Sequence, residues 1–223
     1  MQGSVIALVP AAGRGERFGG GVPKALVRLG GEPLVVHAVR SLAASRVVTQ
    51  VVVAAPAELV ADVRALVPGA IVVAGGATRV ASVAAALAAA DGDAEVVLVH
   101  DAARPLAPAV LVDRVAGAVL DGAPAVIPVV PVIDTVKRVD AAGRVLETID
   151  RADLRAVQTP QGFRRDVLVA AHARAAQDGE DATDDAGLVE RLGIEVVTVA
   201  GDERAFKVTT PHDLARAELL VRA

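Results

Sequence analysis

The chain has 223 residues, enough for one large domain or two small ones, and 53% of them are apolar, enough for a substantial core. A net charge of −4, three Phe and no Tyr or Trp exclude aromatic base-stacking surfaces and a broad phosphate-backbone footprint, so no nucleic acid is expected as a partner. Cys is absent, which rules out disulfides, thiolate nucleophiles and Cys-bound zinc.

The opening residues, MQGSVIALVP, lack the basic head and cleavage site of a signal peptide. No charge-free apolar run reaches the ~18 residues of a membrane span. A cytoplasmic protein without membrane contact is expected. Val5–Val9 predicts a first buried strand, and the glycine-rich stretch VPAAGRGERFGGGVPKAL over residues 9–26 follows it. A helix is predicted over Leu34–Ala44, a strand over Val48–Ala54, a helix over Ala57–Leu66 and a strand over Ile71–Ala74. Then come a helix over Arg79–Ala90 with Thr78 as its N-cap, a strand over Glu95–His100 and a helix over Pro108–Leu120. Ala125–Val130 predicts another strand. Residues 132–150 read as a hairpin, VIDTVKRV and RVLETID about a DAAG turn in which Gly143 supplies the positive φ. A lone two-stranded ribbon is marginal in water, so this arm rests either on a second subunit or on the edge of its own domain. Helices over Arg164–Ala176 and Thr183–Leu192, the latter capped by Thr183, a strand over Glu195–Val199 and a helix over Pro211–Arg222 complete the chain. Pro108 and Pro211 suit first-turn positions. Strands alternating with helices imply an α/β fold, a mostly parallel sheet covered on both faces. No repeat or linker divides it, so residues 1–223 read as one domain with the arm at 132–151 inside it.

A glycine-rich turn after a first strand lets backbone N–H groups approach a phosphate, because no Cβ intervenes. Two familiar versions fail here. The dinucleotide pattern GxGxxG begins at Gly13 and Gly15 but meets Phe18 at its third glycine, and the second strand ends on Ala54 and Ala55 without an acid. The Walker pattern needs Ser or Thr after its Lys, whereas Lys24 lies between Pro23 and Ala25. What remains is a loop with Arg14, Arg17 and Lys24, either a plain connection or a polyphosphate cradle. Like charges in a short loop repel unless an anion sits among them. Such a loop is expected to be mobile over Gly13–Val22 when empty. The basic residues divide into 20 Arg and 3 Lys, namely Lys24, Lys137 and Lys207. In so Arg-rich a chain, a Lys is either a candidate for a place where a compact ammonium suits better than a planar fork or a leftover surface residue, as Lys137 on the arm also reads. His37, His100, His172 and His212 are scattered and no GxSxG elbow occurs, so nothing points to a Ser–His–Asp arrangement.

PAAGRGERF with VPKAL resembles the GxGxR…PK signature of sugar-nucleotide-type nucleotidyltransferases. With GGATRVASV, HDAARP, DTVKR, QTPQGF, ATDDA and FKVTTPHDL, all in order, nearly the whole chain resembles the 2-C-methyl-D-erythritol 4-phosphate cytidylyltransferase family. The resemblance implies a Rossmann-like three-layer sheet, a β-arm exchanged in a homodimer, and transfer of CMP from CTP, with Mg²⁺ held mainly by the CTP phosphates and no dedicated protein metal site. It implies that Arg17 and Lys24 stabilise the transition state, with Gly13 and Gly15 in the triphosphate loop. Ala11, Ala12, Gly76 and Ser82 would surround cytosine and ribose. Asp101 and Arg104 would lie between nucleotide and acceptor. Arg151, Thr135, Thr159, Thr183 and Lys207 would form the acceptor pocket, with Arg151 and Lys207 gripping its phosphate. Asp101 is also readable as a cap or as a salt-bridge partner of Arg104. The small residues of the base pocket are equally readable as ordinary close packing. The departures are Ala25, where a larger or more polar residue is usual, and Thr78, where an acid is frequent. Ribitol 5-phosphate or a related sugar-alcohol phosphate is the alternative acceptor. No room is left for a second catalytic domain, so one activity is expected.

Overall fold

The apolar, Val-rich runs foreseen as strands lie in the middle of the protein. Val5, Ile6, Ala7, Leu8 and Val9 are all fully buried. The computed structural model describes residues 4–13, 23–179 and 182–222. In chain order the strands are β1 (Val5–Pro10), β2 (Arg28–Leu29), β3 (Glu32–Pro33), β4 (Val48–Ala55), β5 (Ile71–Ala74), β6 (Val96–Val99) and β7 (Ala125–Pro131). They continue as β8 (Val136–Val139), β9 (Val145–Ile149), β10 (Arg155–Val157), β11 (Gln161–Arg164) and β12 (Val197–Ala200). The helices are α1 (Leu34–Ala43), α2 (Val60–Leu66), α3 (Arg79–Ala89), α4 (Ala109–Leu120), α5 (Arg165–Asp178), α6 (Asp185–Glu190) and α7 (Pro211–Val221).

Strands β5, β4, β1 and β6 pair in parallel, and β12 runs parallel to β7. Between β6 and β7 lies one antiparallel stretch, β11, preceded along the same edge of β7 by β10. The register slips there, from Val157 opposite Val129 to Gly162 opposite Val126: Gln158 N–H still reaches the Pro128 carbonyl at 2.8 Å, and Thr159 and Pro160 bulge from the ladder. This piece was not foreseen. It is short and polar, and it contains a proline, so it carries no periodic signal.

Alternate residues of a strand face opposite sides, and both sides are covered. Val5, Ala7 and Val9 join Val35 and Leu42 of α1, Val63 of α2 and Val112 and Val115 of α4. Ile6 and Leu8 join Val80 and Val83 of α3, Leu168 of α5 and Leu188 of α6. The result is the expected three-layer, mostly parallel α/β architecture. A smaller cluster of Leu29, Leu34, Val208 and Ala217 pins the β2–β3 turn and α7 together.

Thr78 caps α3 as foreseen, its hydroxyl accepting Ala81 N–H at 3.1 Å. Two helix starts are capped one residue away from the expected position. Pro108 occupies the cap before α4 rather than its first turn, while Pro211 does open α7. Asp184, not Thr183, caps α6, accepting Gly187 N–H at 3.1 Å. Strands β8 and β9 form the foreseen hairpin, with Gly143 at φ 78°. Most of that arm faces solvent: Ile133 is 80% exposed and Leu146 61%.

Candidate active site

The parallel strands β1 and β6 and the edge strand β5 all end on one rim of the sheet, where ligands of open α/β sheets bind. A cavity of about 350 Å³ opens there, lined by Pro10–Gly13 after β1, residues 76–79 and 82 around the start of α3, and Asp101–Ala103 after β6. Lys24, Ala25 and Lys207 close it. Two glycines let its wall form. A Cβ on Gly75 would lie 2.6 Å from the Ala12 Cβ, and one on Gly76 2.4 Å from the Ala81 Cβ.

Each charged lining group has a local reason for its place. Lys24 opens a short 3₁₀ turn, Lys24–Leu26, whose middle residue Ala25 is buried, so a larger side chain there would have to displace core. Lys207 lies on the extended piece between Ala205 and α7, which Val208 fastens by donating its N–H to the Ala103 carbonyl at 2.8 Å. Asp101 stands between two cations. Its Oδ2 lies 2.8 Å from Lys207 Nζ and its Oδ1 3.4 Å from Arg79 Nε. Burial opposes ionisation of Asp101, but the charges of Arg79 and Lys207 outweigh it and hold the carboxyl well below the usual carboxylate range. Among the described lining residues three cations, Lys24, Arg79 and Lys207, outnumber the one carboxylate, Asp101, an excess of positive charge that suits a polyanion.

Of the residues singled out from sequence, Ala11, Ala12, Gly13, Lys24, Gly76, Ser82, Asp101 and Lys207 line this cavity. Gly15, Arg14 and Arg17, and the mobility expected of the empty loop, lie outside the described residues. Ser82 is already engaged, its hydroxyl donating to the Thr78 carbonyl at 2.9 Å and accepting Gly76 N–H at 3.2 Å. Arg104 is not the partner of Asp101. Its Nη1 donates to the Ala205 carbonyl at 2.6 Å and its Nη2 to the Val157 carbonyl at 3.0 Å, which braces the segment leading to Lys207. Burial lowers the Arg104 pKa, against the opposing charge of Asp101. Thr159 stands behind the cavity, its hydroxyl accepting Asp101 N–H at 3.0 Å and donating to His100 Nδ1 at 3.0 Å. Thr135, Arg151 and Thr183 are exposed and do not line the cavity of a single chain.

Sequence reading passed over Arg79. It had a local signal: a cation in the first turn of a helix opposes the helix dipole, so it calls for an anionic partner. Sequence reading also gave the two glutamines of QTPQGF no role. Gln158 clamps the Asp202 backbone, accepting its N–H at 3.0 Å and donating to its carbonyl at 2.8 Å. Gln161 accepts the N–H groups of Asp185 and Ala186 at 3.2 and 3.1 Å and donates to Asp184 at 2.7 Å.

A model of the IspD family, 2-C-methyl-D-erythritol 4-phosphate cytidylyltransferase, matches residues 5–223. The 2-C-methyl-D-erythritol 4-phosphate cytidylyltransferase of Frankia casuarinae is 64% identical over 220 residues, 97% of this chain and 81% of that protein. The Nocardia farcinica protein of the same name is 57% identical over 98% of this chain and 94% of its own. The crystal structure of the Thermus thermophilus enzyme of that name aligns over the whole of both chains with a TM-score of 0.80 and 41% identity.

Proposed function

As the chain belongs to the 2-C-methyl-D-erythritol 4-phosphate cytidylyltransferase family, we infer that the cavity at the sheet rim is where it transfers CMP from CTP to 2-C-methyl-D-erythritol 4-phosphate, a step of isoprenoid precursor synthesis. The observation that carries this placement is the convergence of Lys24, Arg79 and Lys207 on one cavity walled by small residues.

An oxygen of the acceptor phosphate attacks the α-phosphorus of CTP, the new P–O bond forms, and the bond to the β-phosphate oxygen breaks to release pyrophosphate. The attacking group is a phosphate monoester with a second pKa of about 6, already anionic at neutral pH, so no general base is required. The obstacle is the approach of two polyanions, and fixed positive charge is what such a transfer needs. Lys24, with Arg17, neutralises the triphosphate and the charge that builds on its bridging oxygens. Gly13 and Gly15 offer backbone N–H groups to the same phosphates. The Ala11–Ala12 and Gly76 backbone receives cytosine, with Ser82 holding that wall in shape. Lys207 stands ready for the acceptor phosphate, while Asp101 holds it in place.

Asp101, the one carboxylate among the described lining residues, would supply an oxygen to an Mg²⁺ ion held mainly by the CTP phosphates. When bound, the ion draws charge from the phosphates and orients them.

Residues 1–223 act as one nucleotidyltransferase domain from which the arm at 132–151 projects. Thr135 and Arg151 stand near the two ends of that arm, and they reach an acceptor pocket when the arm of a second copy lies across this rim. The exposed Ile133, Val139, Val145 and Leu146 favour that homodimer, since an apolar ribbon left in water is unfavourable. No helix among the described residues is long and apolar enough to cross a membrane, and the reading is of a cytoplasmic enzyme.

Pyrophosphate release from CTP and Mg²⁺ tests the placement. Parent protein should turn over with methylerythritol phosphate and at least tenfold less with ribitol 5-phosphate. A Lys207→Ala variant that kept its affinity for the acceptor would refute the role given to this cavity.

A further inference from the structure

Arg79 lines the cavity, yet its shorter ion pair points away from it. Its Nη1 lies 2.7 Å from Asp185 Oδ2, whereas its Nε lies 3.4 Å from Asp101 Oδ1. Asp185 is fully buried in the first turn of α6 and does not line the cavity. Its other oxygen accepts from His172 Nε2 at 2.9 Å, and the Nδ1 of that buried ring has no hydrogen-bond partner. The position of Asp185 is set from the sheet side, by Gln161 gripping its backbone N–H and that of Ala186. A row of groups therefore runs from Lys207 through Asp101, Arg79 and Asp185 to His172, and only its first three members meet the cavity.

We infer that Asp185 is a positioning residue for the transfer reaction, holding Arg79 from behind so that Arg79 and Lys207 meet opposite oxygens of Asp101. The inference rests on placing the transfer in this cavity. A guanidinium is a fork that favours bidentate pairing with a carboxylate. Released from Asp185, Arg79 would turn its fork onto Asp101 and compete with Lys207 for it. Tied back, it offers Asp101 only its Nε, and the Lys207 pair survives. His172 completes the arrangement by occupying the second oxygen of Asp185, which keeps that carboxylate from rotating.

Asp185→Asn keeps the shape and removes the charge. With the full-length enzyme well below its melting temperature, its kcat/KM for the acceptor should fall at least tenfold. In an Arg79→Met background, the same change should alter kcat/KM less than twofold, because Arg79 is the only route by which Asp185 acts. A merely structural Asp185 gives other results: a lower Tm with kcat/KM within twofold of the parent, or the same loss in both backgrounds. Either result overturns the inference. Should Asp185→Asn fail to fold, Arg79→Lys takes its place. One ammonium cannot meet Asp101 and Asp185 as the guanidinium does, so a tenfold loss at unchanged Tm is expected, and activity within twofold of the parent overturns the inference. Lys207→Ala separates the two readings. If Lys207→Ala loses acceptor affinity while Asp185 and Arg79 behave independently, only the positioning role falls. If Lys207→Ala has no effect, the cavity assignment falls first.

Discussion

Replacing Thr159 by Val keeps the shape of a buried side chain and deletes one hydroxyl. That hydroxyl accepts Asp101 N–H and donates to His100 Nδ1, both at 3.0 Å, and the residue is only 4% exposed, so water cannot substitute for it. The ring tautomer follows from its other end. His100 Nε2 lies 3.2 Å from the Arg104 carbonyl, which can only accept, so Nε2 carries the proton and Nδ1 takes the one from Thr159. The substitution thus strands a backbone N–H and an imidazole nitrogen. Each buried unsatisfied group costs ~1–3 kcal/mol, and about 3 kcal/mol is expected for the two after partial relaxation. For a chain of this length 1 kcal/mol moves Tm by ~2–4 °C, so thermal unfolding should show a drop of ~6–12 °C. Thr159→Ser retains the hydroxyl, loses one methyl and should cost no more than ~1.5 kcal/mol. A Val variant melting within ~3 °C of the parent would refute the bracing role. A raised KM for the acceptor with Tm unchanged would return Thr159 to direct substrate contact.

Burial holds the pKa of His100 down from 6.5 to about 4, with Asp101 opposing in part. Because the unfolded chain takes up this proton first, stability is full above ~pH 6.5 and drains toward pH 4, by ~2 kcal/mol at pH 5. Urea midpoints at about pH 7.5 and 5 check this, and a His100→Asn variant that kept the full slope would sink it. Lys24→Ala should lower kcat by ~10²–10³, the cost of one preorganised donor of ~2.7–4 kcal/mol, and a few-fold effect in steady-state kinetics would remove Lys24 from the transition state. A Cβ on Gly76 would lie 2.4 Å from the Ala81 Cβ, so Gly76→Ala should displace the cavity wall and raise KM for CTP ~10-fold or more while the far-ultraviolet circular dichroism stays native. Leu146→Asp on the 61%-exposed arm position should shift the protein from dimer to monomer in sedimentation velocity, and a parent that sediments as a monomer would end the arm-exchange reading.

The central sheet could be read directly because a strand covered on both faces is written as an unbroken apolar run rich in Val, as Val5–Val9 is. Lys24 and Lys207 could be read because Lys is rare in this chain, and both do line the cavity. Arg79 was missed for a different reason: the helix start and its Thr78 cap were visible locally, but its partner Asp185 arrives from a distant part of the chain. The cap of α6 shows the same limit. Thr183 and Asp184 are neighbours of nearly equal capping power. Gln161, a strand residue, decides between them by gripping Asp184.

The motif QTPQGF makes the distinction sharper. Polar residues in a motif invite reading as groups that meet a ligand, and the family resemblance put Thr159 in the acceptor pocket. Their hydrogen bonds go elsewhere: Gln158 to the Asp202 turn, Thr159 to the loop of Asp101, Gln161 to the start of α6. Ladder bonds are made by the backbone, so the side chains of this bulged segment are left to fasten three loops at once. Two of those loops hold Asp101 and Asp185, and the third precedes Lys207. A motif therefore marks where the chain is constrained, but whether a residue touches substrate or holds the residue that does is decided by where its donors and acceptors already go.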